Sequence, residues 1–386
     1  MQLLKEDGTE VVHRGELDKT TNQFAKGDDY GVCPINQIAH SIFSSVELTA
    51  NDLVICPEPN YAYKAHFTSL CTYSNETKNG WLQDLSGYRI DTPGLFDNEG
   101  NAALEWGSDK QCRNSKLFRV VAYPCIDIFQ SGRLIPNMVS LKMNWHRASN
   151  EFCIMNVKTS RTTKYKLKVH KAIFHLKRCA LSADTFMEIE RNLAGGANLL
   201  YPVKSMVIKP SSIAQGLTSK TLDTCFSNQY IPERLLIAFV DQKGFTGSAD
   251  KNPFNLQHFE IADCTVDVLG QTYRQTFEWD DTYKQNGTIV PYLEYIRLLS
   301  QKYPDDSQFG LSKNDYENGN FIICFDLSQD AAYRTGNSSA GVKGNIVVNI
   351  RFSKSLLQPI TMLAIGIYDN MFMCSVDRSF SRPYIY

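Results

Sequence analysis

The stretch KGFTGSADKNPFNLQHFEIADCTVDVLGQ, residues 243–271, decides how this chain is read. A Gly-rich loop enters a corner at Asn252, Pro253, Phe254 and Asn255, and the corner enters an extended segment where Val266 and Val268 alternate with Asp267. Pro253 fixes its own φ and holds Asn252 out of the helical region, so an ordered corner leading into a strand is expected. Nothing here is catalytic: the GFTG at 244–247 has neither the spacing nor the lysine of a phosphate cradle and reads as a turn.

Upstream, a strand pair is expected around Asp7-Gly8 within residues 3–12, then a polar loop over 13–30. Pro34 opens a short helical pattern through Ile35, Ile38, Ala39, Ile42 and Phe43. Val46 and Leu48 mark a strand that stops at Asn51-Asp52, and residues 60–73 return to helical spacing through Tyr63, Phe67 and Leu70. Residues 80–114 read as loop. Short strands are predicted at 117–123, 126–129, 138–145, 152–157 and 164–176, with a Ser-capped helix at 182–193 ended by Gly195-Gly196. Strands resume at 200–208 and 233–240. Beyond Gln271 a loop through Trp279-Asp280-Asp281 leads to a helix over 291–303, begun by Pro291 and stopped by Pro304. The last strands are expected at 321–327, 345–352, 361–368 and 371–376.

Many short strands with Gly and Pro punctuation argue for antiparallel sandwiches. The two halves also repeat one order of elements. Strand 46–48, turn Asn51-Asp52 and helix 60–73 in the first half correspond to strand 266–268, turn Gly270-Gln271 and helix 291–303 in the second. Each half then closes on an alternating strand, 140–147 and 346–354. The pattern implies a tandem duplication of one β-sandwich unit.

With 386 residues and 43% hydrophobic content the chain can bury a large core, and its length suggests two domains. A formal net charge of -1 lacks the electrostatic footprint of a genome-binding or anionic-membrane-binding surface. No apolar run approaches membrane length, and the N-terminus has acidic residues where a signal peptide needs an apolar core, so a soluble, unsecreted protein is expected. The sequons at Asn75, Asn286 and Asn337 then read as chance matches. The 11 cysteines are scattered singly, as free buried thiols would be.

Candidate chemistry is sparse. His170, His175 and Cys179 come nearest to a metal cluster, but strand positions five apart face opposite ways. Glu278, Asp280 and Asp281 read as solvated charge, and no nucleophile elbow occurs. The 19 Tyr and 21 Phe suit strand packing better than stacking platforms. No catalytic, cofactor-binding or metal-binding residue is expected.

The segment 251–271 resembles the hexon-like major capsid proteins of Polinton/Maverick elements and the related adintoviruses. Their motif of Asn-Pro-Phe-Asn, then His-Phe or His-Tyr, then a strand ending in a Gly-Gln turn, is matched by Asn252, Pro253, Phe254, Asn255, His258, Phe259, Gly270 and Gln271. Similar segments flank it: PERLLIAFVDQKGFTGS at 232–248, YPVKSMVIKPSSIAQG at 201–216, DYENGNFIICFDLSQD at 315–330 and VDRSF at 376–380. In the first half, PINQIAHSIFSSVELTAND at 34–52 and YAYKAHFTSL at 61–70 are similar too.

The resemblance implies an all-β double jelly-roll, two tandem jelly-roll β-sandwiches with short inserted helices, divided as residues 1–165 and 166–386. It also implies homotrimers forming pseudo-hexagonal capsomers of an icosahedral shell in a virion assembled in the host nucleus or cytoplasm. Minor and penton capsid proteins would be partners, with no direct nucleic-acid contact. In the family a leader and an opening strand precede the segment matched by MQLLKEDGTEVV, so the first jelly-roll is expected to lack part of an edge strand. Loops 80–114 and 271–290 would form capsomer tops or subunit contacts. The competing reading is a lectin-like or receptor-like β-sandwich binding module using loops and exposed aromatics; a hydrolase on a β scaffold would need a compact polar cleft.

Overall fold

The protein is described from a computed structural model covering residues 1–386 except 19–22, 99, 158–161, 280–286, 300–310, 329–340 and 382–386. Asp280-Asp281, the sequons at Asn286 and Asn337, and the Pro304 stop lie outside the described residues.

The second half forms eight strands in two facing sheets. They are β10 (Leu199–Ile213), β11 (Ser219–Tyr230), β12 (Arg234–Asp241), β13 (Ile261–Val268), β14 (Gln271–Thr276), β15 (Ile322–Asp326), β16 (Lys343–Phe352) and β17 (Ile360–Cys374), with a short β18 (Phe380–Ser381) on the end of β17. One sheet runs β10-β17-β12-β15 and the other β11-β16-β13-β14, all antiparallel. Chain-adjacent strands thus alternate between sheets except at the β13–β14 hairpin, which is the jelly-roll winding.

The first half repeats this winding with shorter pieces: β1 (Gln2–Lys5), β2 (Arg14–Asp18), β3 (Gln23–Lys26), β4 (Val32–Pro34), β5 (Phe43–Ala50), β6 (Leu53–Glu58), β7 (Leu141–Arg147), β8 (Ile154–Asn156) and β9 (Tyr165–Lys168). The order β6-β5-β7 matches β14-β13-β16, while β4-β8 and β1-β9 match β12-β17 and β10-β17, the final strand being split in two. The chain is therefore a double jelly-roll, the fold class that the sequence suggested.

The repeat rests on local chemistry. At the β5–β6 turn Asn51 and Asp52 both take positive φ (47° and 66°), and at the β13–β14 turn Leu269 and Gly270 do so (51° and 80°). Two consecutive left-handed residues make the hairpin turn whose twist matches the flanking strands. The second turn therefore sits one residue earlier than the Gly270-Gln271 expected, and Gln271 already belongs to β14.

Several sequence expectations change. Residues 242–246 are a helix (Gln242–Thr246) rather than a turn, because Asp241 accepts the Lys243 N–H at 2.8 Å and Gly247 ends it at φ 102°. β14 replaces part of the expected loop; its polar, exposed alternation is that of an edge strand. β11 carries polar residues along a sheet edge and was likewise not expected as a strand. The expected strands at 361–368 and 371–376 are one, β17, since Asp369 is paired to Lys204 and Asn370 donates to Ser205 Oγ at 3.1 Å. β10 keeps Pro202 and Pro210 because it is the sheet edge, where a missing N–H is tolerated. Residues 117–123 form no strand, 126–129 give way to a 3-10 turn (Asp127–Gln130), and the strand expected over 164–176 stops at Lys168.

The helix Tyr61–Thr72 is buried on nearly every side, Tyr61 to Cys71 without a break. It is a core helix of the whole chain, not an amphipathic cover. Its Lys64 is held by Glu58 Oε1 at 2.6 Å and Asp127 Oδ1 at 2.5 Å, all three nearly inaccessible. Burial alone would lower the Lys64 pKa; the two carboxylates outweigh it and hold the ammonium charged. One apolar core then runs through both halves, including Phe67 and Ile154 from the first and Phe254, Ile323 and Ile365 from the second. No helix among the described residues is long and apolar enough to cross a membrane.

Candidate functional site: the joint between the two jelly-rolls

The corner at 252–255 lies on the seam where the halves meet. The side-chain Oδ1 of Asn252 accepts the Phe254 N–H at 3.0 Å across Pro253, a turn that fixes the corner and aims Phe254 outward from its own jelly-roll. Phe254, fully buried, lands in the first: stacked on His66 (4.3 Å, 15°) and edge-on to Tyr63 (5.7 Å) and Phe152 (6.3 Å). Tyr63 in turn stacks on Phe245 at 5.6 Å.

Polar contacts frame this aromatic plug. Asp97, from the first half, accepts the Asn252 backbone N–H at 2.6 Å and the Asn255 amide at 3.0 Å, with Lys251 Nζ at 3.5 Å. Asp91 is buried and accepts amide N–H bonds from Asn101 (2.7 Å), Asn36 (3.0 Å) and Asn252 (3.4 Å). Burial raises its pKa to about 6, against the lowering effect of the Asn101 and Asn36 amides, and the nearby Asp97 charge adds to the rise. Gly319 closes the other side: at φ 133°, its missing Cβ would lie 2.1 Å from a ring carbon of Phe96, so only glycine lets the loop approach.

A cavity of about 210 Å³ adjoins the seam, lined among others by His66, Lys78, Tyr88, Asp91, Leu311 and Asp315. Burial, with the Lys78 charge, pushes His66 down to about 3, and burial also lowers Lys78. Both act as packed wall groups.

The remaining motif residues separate. His258 stacks on Trp279 at 4.1 Å and its Nδ1 accepts the Glu260 N–H at 3.0 Å; burial lowers its pKa. Phe259 takes a left-handed turn at φ 44° and packs half-buried against the core. Gly270 and Gln271 sit at the far end of β13, in the exposed hairpin. Eight motif residues thus serve three places: a seam, a sheet-end turn and a hairpin. The sequence pointed to none of Tyr63, His66, Asp91 and Asp97 as their partners. Asp91 and Asp97 lay in a stretch read as loop, and no local pattern announces a contact more than 150 residues away.

Little here could do covalent chemistry. Burial raises the thiol pKa of Cys33, Cys71, Cys112, Cys153, Cys264 and Cys324, keeping these thiols protonated and unreactive. Among the described residues no group of three or more His, Cys, Asp and Glu could hold a metal, and His170, His175 and Cys179 lie on an exposed segment.

No family model and no curated protein matches the chain. Solved structures do. A cryo-EM structure of the Sputnik virophage aligns with a TM-score of 0.53 at 12% identity, over 92% of this chain and 76% of that one. The Faustovirus major capsid protein aligns at 0.48 and 8% identity, over 96% and 76%. The mavirus major capsid protein aligns at 0.43 and 10%, over 92% and 80%. At such identities the likeness is one of fold, and the first supports the double jelly-roll traced above.

Proposed function

We propose that the chain is a hexon-like major capsid protein of a Polinton/Maverick or adintovirus-like element, a structural protein without catalytic activity. The observation that carries the reading is the joint: two jelly-rolls in one chain are locked by Phe254, Asn252 and Asp97 rather than tethered. Fixed pairs suit a wall, because a threefold assembly of two-walled chains presents six similar sides, and neighbours then pack in a near-hexagonal lattice. We take the division at 165/166, on β9 at the end of the first winding, as the border of the two units. The motif residues act structurally. The product is a homotrimeric capsomer in an icosahedral shell, joined by minor and penton proteins, found in the virion and assembled in the host nucleus or cytoplasm.

Light scattering on the expressed chain tests this. A particle of three times 43.7 kDa is expected; a monomer at every salt concentration would count against it.

A further inference from the structure

The connection between the two jelly-rolls has no place in the chain that carries it. From Lys168 to Thr185, eighteen consecutive residues are exposed, and the backbone of 169–181 enters no ladder or turn with any other described residue. Both ends are moored: His170 Nε2 meets Gln2 Oε1 at 3.1 Å, and beyond the arm the helix Ala183–Ala194 buries Leu193 and pairs Glu190 with Arg378. Along the arm lie Val169, Ile173, Phe174, Leu176 and Leu181, each 38% to 60% exposed. Exposed apolar side chains concentrated this way mark an interaction surface. Holding a chain extended costs roughly 1–2 kcal/mol per residue, and among the described residues no backbone hydrogen bond of 169–181 offsets that here.

We propose that this arm seats on a second copy of the chain. The inference rests on the self-association read above and assigns it to a segment. Charge favours this occupant: residues 168–185 carry Lys168, Lys171, Lys177 and Arg178 against Asp184 alone, net +3. The remainder has 36 Lys and Arg against 40 Asp and Glu, net -4. A neighbouring copy therefore offers an acidic body to a basic arm, whereas a nucleic acid would be repelled by that body and would leave Ile173 and Phe174 in water. Eighteen residues also approach the roughly 20–30 that a standard interface takes from each partner. The arm lacks an in-chain ladder because its contacts are intermolecular.

The test uses the full chain and two variants, Ile173→Asp with Phe174→Asp, and Lys177→Glu with Arg178→Glu. All four positions are exposed, so far-UV circular dichroism should match the parent. Association is followed by light scattering, and burial of the arm by maleimide labelling of Cys179, an exposed thiol within it. The expected result is association at least tenfold weaker in both variants, and labelling at least tenfold slower in the assembled parent than in the dissociated variants. Variants that associate like the parent, fast labelling in the assembled parent, a parent that stays monomeric, or DNA binding by the parent that is lost when Lys177 and Arg178 are reversed would each overturn the arm. Trimers and shells with Cys179 freely labelled would leave the shell reading standing and remove the arm alone. Arm-dependent oligomers that never form shells would do the reverse.

Discussion

Phe254→Ala tests the joint at its centre. The ring is fully buried against His66, Tyr63 and Phe152, two of them on the core helix Tyr61–Thr72 and all three from the other jelly-roll. Truncating a buried phenylalanine costs ~3–5 kcal/mol through lost transfer energy and the cavity left behind. Three aromatic partners place this site at the upper end, since each such pair adds about 0.5–1.5 kcal/mol beyond area. The loss falls on the seam, so coupling should suffer along with stability. In denaturant, followed by circular dichroism and tryptophan fluorescence, the parent should unfold in one transition and Phe254→Ala in two. Phe254→Leu should restore a single transition, because a large apolar side chain still fills most of the site. A loss below about 1 kcal/mol with one intact transition would refute the assignment of Phe254 as the plug.

Other outcomes follow from named contacts. Asp97→Ala removes the acceptor of the Asn252 N–H and the Asn255 amide and should cost about 1–3 kcal/mol in chemical denaturation. Asp91 ionises near pH 6 when folded and at its ordinary lower value when unfolded, so below about pH 6 the folded state binds the proton first. Stability of the parent relative to Asp91→Asn should therefore rise by up to ~3 kcal/mol as pH falls from 7 to 4, read from denaturation midpoints; a flat difference would contradict the buried charge. Lys64→Ala leaves Glu58 and Asp127 without their shared cation and should cost about 3–5 kcal/mol, most of it recovered when all three become apolar, as thermal melts would show.

The fold was legible where local rules and tertiary demand agreed. Val266 and Val268 alternate because one face of β13 is core, and Asn51-Asp52 can take the left-handed turn that a hairpin needs. Reading failed where partners are remote. Asp369 and Asn370 broke an apolar run on paper, yet Lys204 and Ser205 across the sheet let β17 continue through them. Edge strands β11 and β14 look like loops because half their neighbours are solvent. The corner at 252–255 was visible as an ordered turn; its role as a lock depends on Tyr63, His66, Asp91 and Asp97, which no spacing in the sequence connects to it.

Negative-stain electron microscopy of the expressed full chain tests whether the protein builds a shell. Threefold particles with a pseudo-hexagonal outline that pack into sheets or closed shells are expected. Uniform monomers across protein and salt concentrations, with the fold intact by circular dichroism, would contradict a shell-building role.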